Sequence, residues 1–183
     1  MIESILQRIY FGIIGLGLLW FSGYQGNDAK WINTDIQVVD DGVFIESLLG
    51  DAFVNDFDEI FHSDLVITIS FDIRVSRGRN TIYTRNFNRT VFYDDHTKTW
   101  VIYYDEIAEL YVTDCLYDMK FNLSSIRTFL SLDSRENEIV DITLTARLPV
   151  VFLPSLQREV DLMMLWKFSA PQERYRVNLR VLR

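Results

Sequence analysis

Cysteine is nearly missing from this chain: Cys115 is the only one among 183 residues. No disulfide can close within it, and no cysteine-based zinc site can form. A lone thiol in an oxidising compartment reads first as a small buried hydrophobe. No cysteine lies near residue 20, which removes a lipoprotein-type acylation site. Positive charge is also short. There are 18 Lys and Arg against 26 Asp and Glu, for a formal net charge of −8. Up to Lys30 the side chains balance, Glu3 and Asp28 against Arg8 and Lys30, so the deficit belongs to the region from Trp31 onward. An acidic domain repels phosphate backbones, so nucleic acid is not an expected partner.

The signatures of catalysis are missing too. No serine sits in a G-x-S-x-G elbow, and no H-E-x-x-H, G-x-G-x-x-G or Walker pattern occurs. "SRGRN", from Ser76 to Asn80, follows a strand without leading into a helix, and reads as a turn with solvated arginines. Of the two histidines, His62 ends a short helical stretch, where it suits the helix C-terminus. His96 stands beside Asp94 and Asp95, but neighbouring Asp and His point apart, and turn tips are built from these residues. No catalytic residue, metal ligand or cofactor is expected.

What the chain does have is an uncharged run, "IYFGIIGLGLLWFSGY", from Ile9 to Tyr24. Its 16 residues make roughly 24 Å of helix, short of the about 30 Å of a bilayer core. Ile2, Ile5 and Leu6 can extend it by a turn, and Trp20 and Tyr24 suit the headgroup zone. Every plausible cleavage point puts an aromatic where signal peptidase wants a small residue. Gly12, Gly15 and Gly17 disfavour a helix in water, at about 1 kcal/mol each. An uncleaved anchor over residues 1–24 is therefore preferred to a cleaved signal or a soluble core helix. A linker over 25–30 and a domain over 31–183 follow, with the N-terminus inside and the C-terminal domain exported.

The domain reads as strand. "DLVITISFDIRVSR" alternates with Leu65, Ile67, Ile69, Phe71, Ile73 and Val75 on one face. "DITLTARL" and "RYRVNLRVL" repeat the pattern, with Ile142, Leu144, Ala146 and Leu148 inward in one and Tyr175, Val177, Leu179 and Val181 in the other. "DDHTK" turns a hairpin between two aromatic strands, and "DIQVVDDGVFIESLL" turns another at Asp41-Gly42. Two short helices are predicted. In "VNDFDEIFHS" Asn55 caps and Val54, Phe57 and Phe61 share a face; in "NLSSIRTFLSL" Ser124 caps and Ile126, Phe129 and Leu130 share one. The expected fold is mainly β, an antiparallel immunoglobulin-like β-sandwich with one or two short helices.

Taken in order, these segments resemble DUF4390, a bacterial family of exported proteins whose function is unknown. The hairpin motif R-x-x-x-x-Y-D-x-x-T-x-x-W/Y appears as Arg89, Tyr93, Asp94, Thr97 and Trp100, and a tryptophan-bearing stretch, "LMMLWKFSAPQERYRV", closes the domain. The resemblance spans Ile32 to Val181. It implies an exported, membrane-proximal domain and brings no catalytic residues.

Two surfaces are candidates for contact. Phe92, Tyr93, Trp100 and Tyr103 cluster on the aromatic hairpin, as a platform or as cross-strand core pairing. Arg174, Arg176 and Arg180 form a basic row on the last strand, as a solvated edge or as a contact for an acidic partner or phospholipid headgroups. The expected function is a non-enzymatic interaction or accessory module of an envelope complex, bound to another envelope protein. The alternative is a sandwich that holds a lipid or other apolar ligand between its sheets.

Overall fold

The computed structural model describes residues 26–39, 42–54, 57–62, 65–132, 138–153 and 158–179. The expected anchor, residues 1–24, lies outside them, as do Asp41 of the expected Asp41-Gly42 turn, Asn55 as the expected cap, and Arg180 and Val181. Among the described residues no helix is long and apolar enough to cross a membrane.

The protein is mainly β. In chain order the elements are β1 (Lys30–Val39), β2 (Gly42–Gly50), α1 (Phe57–Phe61), β3 (Ile67–Arg77), β4 (Asn80–Asp94), β5 (Thr99–Tyr104), β6 (Glu109–Thr113) and α2 (Leu116–Ser124). Then come β7 (Ser125–Ser131), β8 (Ile139–Arg147), β9 (Val150–Leu153), β10 (Arg158–Asp161), a 3-10 turn (Leu162–Trp166) and β11 (Gln172–Asn178). One sheet runs β1-β2-β7 and a second runs β11-β8-β3-β4-β5-β6; β9 and β10 form a separate hairpin. All pairings are antiparallel.

The alternation read from sequence becomes the core. Ile67, Ile69, Phe71, Ile73 and Val75 of β3 are buried, as are Ile142, Leu144 and Ala146 of β8. Each such large side chain contributes about 1.5–3 kcal/mol by leaving water. Residues of both sheets belong to the same core: Trp31 of β1 lies against Phe71 of β3, ring centroids 6.0 Å apart. Three buried tryptophans each satisfy their indole N–H on a backbone carbonyl, as burial demands. Trp31 donates to Pro171 (3.2 Å), Trp100 to Phe61 (2.9 Å) and Trp166 to Ala52 (3.0 Å).

Several expectations need correction. "NLSSIRTFLSL" is not a helix: Ser124 closes α2 instead of opening a helix, its hydroxyl donating back to the Lys120 carbonyl at 2.7 Å. Beyond it β7 alternates, with Ile126, Thr128 and Leu130 buried and Phe129 exposed. The unforeseen helix α2 has its own apolar spacing, Leu116, Met119 and Leu123, turned to the core. In α1 the buried face is Phe57, Ile60 and Phe61, while Val54 is exposed. Cys115 is exposed, not a buried hydrophobe; it sits at the start of α2 with its N–H donating to Thr113 Oγ1 at 3.1 Å. The expected linker is docked on the domain: Asn27 is buried and its N–H donates to the Leu165 carbonyl at 2.9 Å.

Candidate functional site

Alternation sorts the aromatic hairpin into two faces. Register pairs Tyr93 with Trp100 and Phe92 with Val101, so the first pair points to one side of the sheet and the second to the other. Trp100 is buried and Tyr93 half-buried, and together they close over His62: His62 to Trp100 is 4.9 Å edge-on and Tyr93 to Trp100 is 5.1 Å between centroids. His62 Nδ1 is 2.6 Å from the Asp58 carbonyl, one turn back in α1. These residues are packing. The expected four-residue aromatic surface therefore loses Tyr93 and Trp100.

Phe92 and Tyr103 are exposed on the opposite, outward face. There the register lines up Phe92–Val101–Val112 in one row and Thr90–Tyr103–Leu110 in the next. Leu110 is 65% exposed and Val112 57%. β6 is the last strand of its sheet, so the patch runs to a free edge. Natural edges are usually guarded by charge, proline or a bulge; β6, "ELYVT", carries only Glu109. Leu110 and Val112 were missed in sequence because their strand was not assigned, although the alternating "ELYVT" carries the signal.

Next to this patch the outward face is polar. Across β3 and β4, Thr68 bonds Thr90 (3.0 Å) and Ser70 donates to Asn88 (2.8 Å). A shallow depression of about 300 Å³ lies there, lined by Ser70, Asp72, Arg74, Asn88, Thr145 and Arg147 among others. Further on, Arg174 and Arg176 of β11 flank Asp141 of β8, at 2.6 and 3.4 Å. The two arginines are thus on the wet face as expected, but they share a carboxylate. Arg174 first, then Arg176, holds the Asp141 carboxyl below the usual carboxylate range. Arg180 lies outside the described residues.

On the inward face lies a charged cluster; Arg89 enters the sequence reading only as part of the hairpin motif, and Glu106 not at all. Arg89, in phase with buried Phe87 and Val91, donates through Nε and Nη2 to Glu106 Oε1 at 2.9 and 2.6 Å. Its Nη1 donates to the carbonyls of Asn122 (2.9 Å) and Ser125, where α2 gives way to β7. The guanidinium lies 4.7 Å over the Tyr104 ring. The side chains are 6% and 8% exposed, and Glu106 Oε2 has no hydrogen-bond partner among the described residues. Burial pushes the Tyr104 phenol up. A groove of about 500 Å³ opens beside Arg89 between β2, β7 and α2. Its rim holds the Glu46–Arg127 ion pair, and Leu48, Phe121 and Ile126 are among its lining.

His96 lies in the β4–β5 turn, its N–H donating to Asp94 Oδ1 at 2.9 Å, and Lys98 pairs with Asp95 at 2.6 Å. Among the described residues no group of three or more His, Cys, Asp and Glu could hold a metal ion. No protein-family model matches the chain, and neither a curated protein nor a solved structure matches it.

Proposed function

We propose that the chain is a membrane-anchored periplasmic domain that binds another envelope protein through the outward face of β4, β5 and β6, and that it is not an enzyme. One observation carries this reading. Phe92, Tyr103, Leu110 and Val112 are exposed together at one side of a sheet face whose middle, over β3 and β8, is polar. Contiguous exposed apolar surface rimmed by polar residues marks contact sites in soluble domains. An unguarded edge strand beside it offers backbone groups for strand addition. The residues 1–24 supply the anchor in this reading, with the N-terminus inside and the domain exported.

The finer fold is part of the same proposal. If β1, β2 and β7 take the places of strands A, B and E of an immunoglobulin-like sandwich, β11-β8-β3 take those of G-F-C. β4 and β5 then match the C′ and C″ strands of a variable-type domain, and β6 adds one more. The resemblance to DUF4390 belongs to this reading. The lipid-binding alternative has less support, because the core positions of the sheets are filled.

The test is site-specific photo-cross-linking of the full chain in a bacterial envelope. A photoreactive residue at Leu110 or Tyr103 is expected to give one discrete protein adduct, lost in the double variant Phe92→Ser, Val112→Asp. A probe at Thr143, on the polar part of the face, serves as control. Adducts at Leu110 no stronger than at Thr143 refute the proposal.

A further inference from the structure

A second exposed apolar region lies where the chain enters the domain. Residues 26–29 are held against the 3-10 turn and the two residues after it. Asn27 N–H donates to the Leu165 carbonyl at 2.9 Å, and Lys167 Nζ pairs with Asp28 at 2.5 Å. Gly26 is pressed so close that a Cβ on it would stand 2.7 Å from Lys167 Cγ, and its φ is +70°. Glycine suits both that close approach and that left-handed backbone, which L residues adopt at a cost.

Directly beside this contact the chain takes an uncommon course. Lys167 and Phe168 both have left-handed backbone, φ 53° and 57°. A bulky residue there is a conformational outlier, and such outliers cluster where function requires them. The bend is held by N–H bonds from Lys167 to the Met164 carbonyl (3.1 Å) and from Phe168 to the Met163 carbonyl (2.8 Å). It delivers the Phe168 ring to solvent at 71% exposure. Exposed Val150 follows Pro149, whose carbonyl accepts from Leu162 N–H at the start of the 3-10 turn at 3.1 Å. Exposed Val54 stands two residues beyond Ala52, whose carbonyl is bonded by both Asn27 and Trp166.

We infer that Phe168, with Val150 and Val54, seats the domain on the phospholipid surface. The inference rests on the reading of residues 1–24 as the membrane anchor. The apolar run ends at Tyr24, and two residues of extended chain to Gly26 reach no further than about 7 Å. With Gly26 clamped to Lys167, this end of the domain must then lie close to the bilayer. An aromatic held rigidly outward there meets the headgroup zone, which favours aromatic rings. The nearby lysines are already paired, Lys167 with Asp28 and Lys30 with Asp51 at 2.8 Å. The contact is therefore apolar in character and indifferent to anionic lipid.

The test uses the full chain reconstituted in phosphatidylcholine vesicles, with Cys115→Ser as background. A nitroxide label is placed on Phe168→Cys, on Val150→Cys, and on Arg79→Cys as control. Arg79 sits at the β3–β4 tip, roughly 25 Å along β3 from the membrane end. The labels at 168 and 150 are expected to show several-fold higher oxygen-to-nickel accessibility than the label at 79, unchanged when phosphatidylglycerol is added. Labels at 168 and 150 as water-accessible as the one at 79, in protein that survives alkaline extraction of the vesicles, overturn the seat and leave the anchor standing. Labels shielded from both oxygen and nickel also overturn it, since protein and not lipid then covers the loop. Protein released by alkaline extraction refutes the anchor, and the seat falls with it.

Discussion

Replacing Arg89 by methionine should be among the most damaging single changes in the domain. The Arg89 and Glu106 side chains are 6% and 8% exposed, so solvent screens their attraction little. Removing one partner leaves the other charged and buried, which typically costs about 3–5 kcal/mol. Two carbonyls also lose their donor, those of Asn122 and Ser125, but both residues line the groove and water can replace part of the loss. In a domain of this size each kcal/mol shifts the melting temperature by about 2–4 °C. Arg89→Met and Glu106→Leu should therefore each melt roughly 6–20 °C below the parent protein. The double variant should be more stable than the sum of the two losses allows, because no buried charge is left unpaired. Denaturant unfolding of the four proteins completes the cycle. Single losses below about 1 kcal/mol, the level of a surface pair, would refute the buried-pair reasoning. So would losses that simply add.

Asp141 should govern part of the acid limb. Its carboxyl is held below the usual range, chiefly by Arg174, so its contribution is complete above the unfolded value of about 3.9 and is lost as pH falls through the folded value. Asp141→Asn should flatten the fall of melting temperature below that pH, and parallel profiles would contradict this. At the alkaline end, burial and then the bond to Glu173 push the Tyr175 phenol up to about 12. The unfolded chain releases that proton first, so stability should fall between about pH 10 and 12, less steeply in Tyr175→Phe; equal slopes in denaturant titrations would count against it. A Cβ on Gly42 would overlap the Leu130 carbonyl oxygen, so Gly42→Ala should cost about 1–3 kcal/mol in denaturant unfolding. Gly78 has left-handed φ and open space around it, so Gly78→Asn should change stability by less than about 1 kcal/mol.

The strands β3, β8 and β11 were legible because their apolar residues keep a period of two over seven residues or more, and few other structures satisfy that. β7 was not, for a physical reason. In "SIRTFLS" the inward set is Ile126, Thr128 and Leu130, and a polar Thr128 breaks the apolar alternation. Ile126, Phe129 and Leu130 meanwhile fall at helical spacing. What settles the matter is tertiary: Arg85 donates to Thr128 Oγ1 at 2.8 Å, a partner 43 residues away. The aromatic hairpin was visible as a cluster, but composition could not divide it. Its two faces separate once the pairing of Tyr93 with Trp100 is known. Arg89 could have been noticed as a charge in the inward phase of β4, whereas Glu106 lies just beyond β5 and only the fold brings the two together.

The strand order also sets a timetable for synthesis. β2 gains its second neighbour only from β7, about 75 residues further along the chain. β3 likewise waits for β8 after its hairpin with β4. Translation at about 5–20 residues per second leaves β2 half-paired for roughly 4–15 seconds, during which Val43, Ile45 and Leu49 have no finished core to enter. Distant pairings of this kind slow folding because loop closure precedes any gain from contact. The nascent chain is therefore most exposed to aggregation before β7 and β8 are made. A binding factor that covers apolar strands over that interval should raise the yield of folded protein more than any stabilising change at the finished surface.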